Sequence, residues 1–195
     1  ESTAPNEELK ATSTVKITQQ VVLDYIDQFK ETAKNNMKEF GIPASITLAQ
    51  GILESGAGTA RLSVQANNHF GIKCHKEWQG DQIFHDDDAK DECFRKYKYP
   101  SESFRDHALF LSTRKYYVQL FTLEKENYKA WAKGLKDAGY ATDPKYPDKL
   151  TSLIERYQLH RFDAEVLGKP FLADEKPKSN PSTNSNSSNE TTLIK

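Results

Sequence analysis

Apolar residues recur at spacings of three and four along the first part of the chain, which predicts one long amphipathic helix from Thr18 to Phe40. The hydroxyl of Thr18 can accept a hydrogen bond from a free N–H of the first turn, and Gly41 can adopt the left-handed conformation that ends a helix. The expected buried stripe consists of Val22, Ile26, Phe29, Ala33, Met37 and Phe40.

A second apolar stripe predicts a second helix close behind the first. Pro43 suits its first turn, because the fixed φ of proline is already helical. The glycines of the run Ser55-Gly56-Ala57-Gly58 are expected to end it. Its buried positions should be Ile46, Ala49, Ile52 and Leu53.

The rest of the chain predicts one β-hairpin and three more helices. Alternation from Gln82 to Tyr97 indicates the hairpin, with its turn around residues 89–91. Helices are expected at about 101–113, 127–138 and 147–157, and no internal repeat is visible. The last helix should begin with Pro147 and bury Leu150, Leu153, Ile154 and Tyr157. The predicted fold class is α+β, with a mainly helical body and a small inserted β-lobe.

The two ends differ in composition from this middle part. Residues 1–16 and 174–195 are polar, and the C-terminal stretch is rich in Ser, Asn, Thr and Pro. Such segments cannot bury enough apolar surface to offset their ordering entropy, so we predict disorder at both ends and one domain over residues 17–173. The C-terminal stretch is equally compatible with a tail or a linker to a further domain. Because the chain begins with Glu1, we interpret it as mature or trimmed.

Charge and hydropathy exclude several classes of protein. The 27 Lys and Arg residues nearly balance 28 Asp and Glu residues. This balance gives no basic field for nucleic acid or an anionic membrane surface. No run of 18 apolar residues occurs, so no membrane span is expected.

Cys74 and Cys93 are the two cysteines of the chain, and they flank the predicted hairpin. In an oxidising compartment a disulfide closing a loop of this size would contribute about 3 kcal/mol. The alternative is a pair of free core thiols in a cytosolic protein. Two cysteines without clustered histidines do not form a structural zinc site, and the five histidines show no metal-binding spacing.

Glu54 is the strongest candidate for chemistry. It lies in the predicted last turn of the second helix, where the negative end of the helix dipole disfavours a charged carboxylate. Partial burial would raise its pKa further, as suits a general acid. The alternative is an ordinary helix-end glutamate before a glycine.

Three consecutive acids, Asp86, Asp87 and Asp88, form the second candidate. In a continued strand, Asp86 and Asp88 would share one face and Asp87 would occupy the other. The run could be a solvated hairpin tip or could supply a catalytic carboxylate. A calcium site would require carboxylates spaced along a loop, which are missing.

Two loops could bind sugars. Residues 67–73 (NNHFGIK) contain Asn68, Phe70 and Gly71, whose amide, ring and backbone could hold hydroxyl or N-acetyl groups, although a structural Asx turn is equally possible. Residues 139–147 contain Tyr140 and Tyr146, and tyrosine rings can stack on pyranoses. The loop could equally be a plain connection between helices.

Four stretches in this order resemble the bacterial endo-β-N-acetylglucosaminidases of glycoside hydrolase family 73, over about residues 17–160. They are residues 49–58 (AQGILESGAG), residues 67–73 (NNHFGIK), residues 94–97 (FRKY) together with 103–107 (SFRDH), and residues 140–146 (YATDPKY). The resemblance implies a lysozyme-like fold, with the cleft between the helical body and the β-lobe. It implies Glu54 as catalytic acid and Tyr140 as a sugar-site residue, with Tyr146 a further candidate.

The family usually has a glutamate in the β-lobe, and this chain departs from that pattern by offering Asp86, Asp87 and Asp88, of which we favour Asp87, followed by Asp86 and Asp88. The implied reaction cuts the β-1,4 bond between N-acetylglucosamine and N-acetylmuramic acid in peptidoglycan glycan strands. We expect an exported monomer without cofactor or metal. A muramidase or lytic transglycosylase on the same fold, or a wall-binding module that has lost catalysis, remains the alternative.

Overall fold

A computed structural model describes residues 17–171. Helices surround one central helix, and a two-stranded antiparallel sheet is inserted between the third and fourth α-helices. The elements are α1 (Gln19–Phe40), α2 (Ala44–Ser55), α3 (Arg61–Ala66), β1 (Asp81–His85), β2 (Glu92–Lys96), α4 (Pro100–Thr113), a 3-10 helix (Lys115–Thr122), α5 (Tyr128–Asp137), α6 (Tyr146–Arg156) and α7 (His160–Leu167).

The central helix is α2, which is buried on all sides from Ala44 to Ile52. It packs against α1, α5, α6 and α7. Its first turn has no side-chain cap of its own, and Asp163 of α7 supplies one by accepting hydrogen bonds from the backbone N–H and the hydroxyl of Ser45. Burial raises the pKa of Asp163 to about 7. The N-terminal end of α2 is thus fixed deep in the core, and its C-terminal end reaches the surface.

The ends of α1 confirm the sequence prediction. The hydroxyl of Thr18 accepts a hydrogen bond from the N–H of Val21, and Gly41 closes the helix in the left-handed region with φ +86°. The predicted stripe is buried, except that Phe40 is only half-buried. Pro43 stands at the N-cap position of α2 instead of in its first turn, a shift of one residue from the prediction.

The β-lobe is the predicted hairpin, with Ile83 paired to Phe94 at its centre. A disulfide joins Cys74 to Cys93, which confirms the predicted pairing. Beside it, the N–H of Cys74 donates to the carbonyl of Cys93, and Lys73 pairs with Phe94 as a further bridge. The lobe is therefore tied to the preceding loop by covalent and backbone bonds.

Three elements were not predicted: α3, the 3-10 helix and α7. Each has at most eight residues, which is too short for a hydrophobic period to stand out. The three predicted later helices are present within one residue of the expected bounds. Leu150, Leu153, Ile154 and Tyr157 are buried as expected.

The predicted disordered ends, residues 1–16 and 174–195, lie outside the described residues. Within residues 17–171, no helix is long and apolar enough to cross a membrane. The same part of the chain contains no group of three side chains that could hold a metal ion.

Candidate active site

A cleft runs between the helical body and the β-lobe. Its larger part has a volume of about 820 Å³ and is bordered by the 3-10 helix and by the loop before α6. A second part of about 380 Å³ continues between α3 and the hairpin. Glu54, Phe70, Gly71 and Asp87 line both parts, so they stand where the two meet.

Glu54 is the last residue but one of α2, and its side chain leaves the buried helix into this junction. Gly56 ends the helix with φ +55°, a conformation that would strain other residues. The carboxyl is accessible from the cleft but is surrounded by protein on its other sides. Its pKa is raised, chiefly because burial disfavours the charged form and further because Asp87 is negatively charged, while a hydrogen bond from Tyr146 opposes the shift. Burial was one of the two causes expected from the sequence, and the other is the position of Glu54 at the C-terminal end of the helix dipole.

A chain of buried hydrogen bonds ends at Glu54. Nε2 of His107 donates to the amide oxygen of Gln50 at 2.9 Å, and the amide nitrogen of Gln50 donates to the hydroxyl of Tyr146 at 2.9 Å. That hydroxyl contacts Oε1 of Glu54 at a longer 3.4 Å. Because the hydroxyl already accepts from Gln50, its own proton is free to point at Glu54. Burial lowers the pKa of His107 to about 3, so the chain begins with a neutral imidazole.

Gln50 and His107 belong to the matching motifs, but no role was predicted for either. A signal was available in the sequence for Gln50. It lies four residues before Glu54 on the same face of the helix, and the other polar residues of that helix are the small hydroxyl residues Ser45, Thr47 and Ser55. Nothing in the sequence indicated that His107 would be its partner, because 57 positions separate the two residues.

Both predicted tyrosines lie in the cleft wall. Tyr146 is buried, and Tyr140, which is half-buried, stacks on it with ring centroids 5.9 Å apart. Burial raises the pKa of both phenols, so both hydroxyls stay protonated and can donate. The larger part of the cleft thus has an aromatic wall that begins next to Glu54.

The three consecutive acids have different surroundings. β1 ends at His85, so Asp86–Asp88 lie in the turn and the predicted alternation of faces does not apply to them. Asp86 accepts a hydrogen bond from the N–H of Asp91 and so closes the turn. Asp88 lines only the larger part of the cleft and contacts Lys73 at 3.4 Å. Asp87 alone of the three lines both parts and acts electrostatically on Glu54.

The loop before the lobe is held by Asn68. Its side chain accepts from the N–H of Ile72 and donates to the carbonyls of Ile72 and Arg95, which is the structural alternative weighed for this amide. These bonds present Phe70 and Gly71 to the cleft. Phe70 stacks on His107 with centroids 4.0 Å apart. At Gly71 an added Cβ would meet nothing within 4 Å, so its φ of +63° is the reason for glycine there.

Comparisons with known proteins identify the family of this chain. A family model described as mannosyl-glycoprotein endo-β-N-acetylglucosaminidase, the Glucosaminidase family, matches residues 30–159. The exo-glucosaminidase LytG of Bacillus subtilis is 35% identical over 150 residues, covering 71% of this chain and 52% of that protein. The peptidoglycan hydrolase FlgJ of Vibrio parahaemolyticus is 33% identical over 147 residues, covering 69% and 47%. This chain thus spans about half the length of these relatives.

The fold is also found in a solved structure. The catalytic domain of the autolysin Auto from Listeria monocytogenes has a TM-score of 0.63 and 26% identity, covering 84% of this chain and 99% of that domain. The mainly helical body with a small β-lobe is therefore confirmed. The family model matches from the middle of α1 to just past the end of α6. The chain therefore belongs to the glucosaminidases of glycoside hydrolase family 73.

Proposed function

We propose that this protein is a peptidoglycan hydrolase that cleaves the β-1,4 bond between N-acetylglucosamine and N-acetylmuramic acid. The observation that carries the proposal is the position of Glu54. A carboxyl with a raised pKa stands at the junction of two cleft parts, in a chain of the glucosaminidase family. A glycan strand lying in both parts would bring a glycosidic bond to this carboxyl, which favours cleavage within the strand.

In the proposed reaction Glu54 is the general acid. Its proton passes to the bridging oxygen, the bond from that oxygen to C1 of N-acetylglucosamine breaks, and muramic acid leaves with a free 4-hydroxyl. Water supplies the hydroxyl that completes C1, and its remaining proton returns the active site to its starting state. The Tyr146 hydroxyl stabilises the carboxylate that Glu54 becomes.

Asp87 is the proposed second carboxylate, which activates the water or stabilises positive charge at C1. Asp87→Asn is expected to lower kcat by about 100-fold or more. It should also move the basic limb of the kcat/KM profile to lower pH, because removal of a negative neighbour lowers the pKa of Glu54. Steady-state kinetics across pH measures both effects.

The matched control is Asp88→Asn, which removes a neighbouring cleft carboxylate that contacts Lys73. The kcat of Asp88→Asn should fall much less than that of Asp87→Asn. If Asp87→Asn instead retains nearly the wild-type kcat, Asp87 is not the second catalytic group. The N-acetyl group of the substrate would then be the better candidate for attack at C1.

Tyr146→Phe should shift the pH profile in the opposite direction. The hydroxyl hydrogen bond lowers the pKa of Glu54, so its removal raises that pKa and moves the basic limb of kcat/KM to higher pH. Tyr140→Phe is the control, since no hydrogen bond joins Tyr140 to Glu54 among the described residues. The basic limb of its kcat/KM profile should move less than that of Tyr146→Phe. A limb that moves to lower pH in Tyr146→Phe would contradict the assigned hydrogen bond.

The cleaved bond is identified by borohydride reduction and mass spectrometry of digested sacculi. Reducing N-acetylglucosamine ends support the proposal, while reducing N-acetylmuramic acid ends would indicate a muramidase and anhydro ends a lytic transglycosylase. Sedimentation with sacculi alongside a turbidity assay addresses the remaining alternative. Binding without clearing would indicate a wall-binding module.

The proposed substrate lies outside the cytoplasmic membrane, and the Cys74–Cys93 disulfide is of the kind that persists in an oxidising compartment. Both features support an exported protein. We further propose that the enzyme acts as a monomer on glycan strands.

A further inference from the structure

Four tyrosines form a continuous row along the wall of the larger cleft part. Tyr146, beside Glu54, stacks on Tyr140 at 5.9 Å between ring centroids. Tyr140 packs on Tyr117 at 6.1 Å, and Tyr117 meets the edge of Tyr116 at 4.6 Å. The row therefore leads from the reacting carboxyl to the rim of the cleft, farther than one sugar ring extends.

The outer end of this row is open to solvent. Tyr117 is buried, whereas Tyr116 is 56% exposed, although both rings line the cleft. Half-buried Phe110 lines the same part and packs on Tyr117 at 5.7 Å. The exposed ring of Tyr116 therefore lies next to the aromatic rings of Tyr117 and Phe110, in the same cleft as Glu54.

The surroundings hold this rim in place before any ligand arrives. Arg114, at the start of the 3-10 helix, stacks on Phe110 at 4.8 Å and forms an ion pair with Glu77 at 3.0 Å. The N–H of Tyr117 donates to the carbonyl of Arg114. Glu77 also contacts Arg95 of β2, so the rim is linked to the β-lobe. The backbone that carries Tyr116 is therefore fixed in advance, which reduces the freedom that the rim loses when a ligand stacks on it.

We propose that Tyr116, supported by Tyr117 and Phe110, forms a distal subsite that binds a pyranose ring of the glycan strand at least one sugar away from the cleaved bond. Pyranose rings have an apolar C–H face that stacks on aromatic rings, and a tyrosine hydroxyl can reach sugar oxygens. The inference rests on the proposed function. It adds that the enzyme prefers long strands to the disaccharide of one N-acetylglucosamine and one N-acetylmuramic acid, because that disaccharide does not extend past the two sugars at the cleaved bond.

The experiment compares two substrates: long glycan strands freed of their peptides, and the disaccharide of one N-acetylglucosamine joined β-1,4 to one N-acetylmuramic acid, which has a single sugar on each side of the cleaved bond. In Tyr116→Ala the ratio of kcat/KM for long strands to kcat/KM for the disaccharide is expected to fall about tenfold. Tyr116→Trp keeps an aromatic face and should restore most of the ratio. Thermal melts check that each variant is folded.

Tyr99→Ala is the matched control, because Tyr99 is 64% exposed at the start of α4 and is not among the residues lining the cleft. A ratio in Tyr116→Ala equal to that of Tyr99→Ala would overturn the proposal. An equal loss of kcat/KM on both substrates would also overturn it, as would a ratio in Tyr116→Trp no higher than that in Tyr116→Ala. Failure of the proposed function has a different sign: wild-type enzyme would cleave neither substrate, or would cleave only long strands and leave reducing N-acetylmuramic acid or anhydro ends.

Discussion

Glu54→Gln is expected to reduce kcat on purified sacculi by about 10²–10⁴-fold, the range typical of losing a general acid. Glutamine has nearly the size and shape of glutamate but has no acidic proton to give to the leaving oxygen. Glu54 opens into the cleft and lies outside the apolar core, so the melting temperature should change little. Turbidity loss and release of reducing ends measure the rate.

Glu102→Gln is the control for this substitution, because it replaces an exposed glutamate in the first turn of α4, away from the cleft. It should clear sacculi at the wild-type rate. A Glu54→Gln protein that binds sacculi but does not clear them agrees with the assigned role. Clearance at a near-wild-type rate would show that another group supplies the proton.

Removal of the disulfide has the second largest expected effect. The bond closes a loop over 19 positions, and loop-closure entropy predicts that Cys74→Ser with Cys93→Ser lowers the free energy of unfolding by about 3 kcal/mol. For a domain of this size the melting temperature should fall by about 6–12 °C. Differential scanning calorimetry of the double variant measures the change.

The same substitution should affect activity through the β-lobe. Asp87 lies in the turn between β1 and β2, and Cys93 lies in β2. Loosening the lobe should therefore reduce kcat/KM more than the Glu102→Gln control does. Because the chain has only these two cysteines, reduction of the wild-type protein provides an independent route to the same state. An unchanged melting temperature by both routes would contradict the stabilising role.

Long periodic segments made much of the fold predictable. α1 has 22 residues and a strong apolar stripe, and its caps follow from Thr18 and Gly41. α3, the 3-10 helix and α7 were missed because short helices form largely through tertiary packing, which local sequence does not reveal. The disulfide was predictable because the chain contains one possible pair.

The candidate site was predictable only in part. Glu54 could be identified from its place at the end of an apolar helix and from the surrounding motif. The sequence left Asp86 and Asp88 open beside the favoured Asp87, and the fold distinguishes them because only Asp87 lines both parts of the cleft. Tyr116 gave no sequence signal, because the proposed role of its exposed ring depends on a cleft that distant segments of the chain form together.

The most direct test of the central claim, that Glu54 is the acid, is a ¹³C NMR titration of its carboxyl in the free enzyme, assigned by comparison with Glu54→Gln. We expect a pKa above the ordinary glutamate value that coincides with the basic limb of the kcat/KM profile, because that limb reports the free enzyme's essential acid. An ordinary pKa for Glu54, or a basic limb at a clearly different pH, would contradict it.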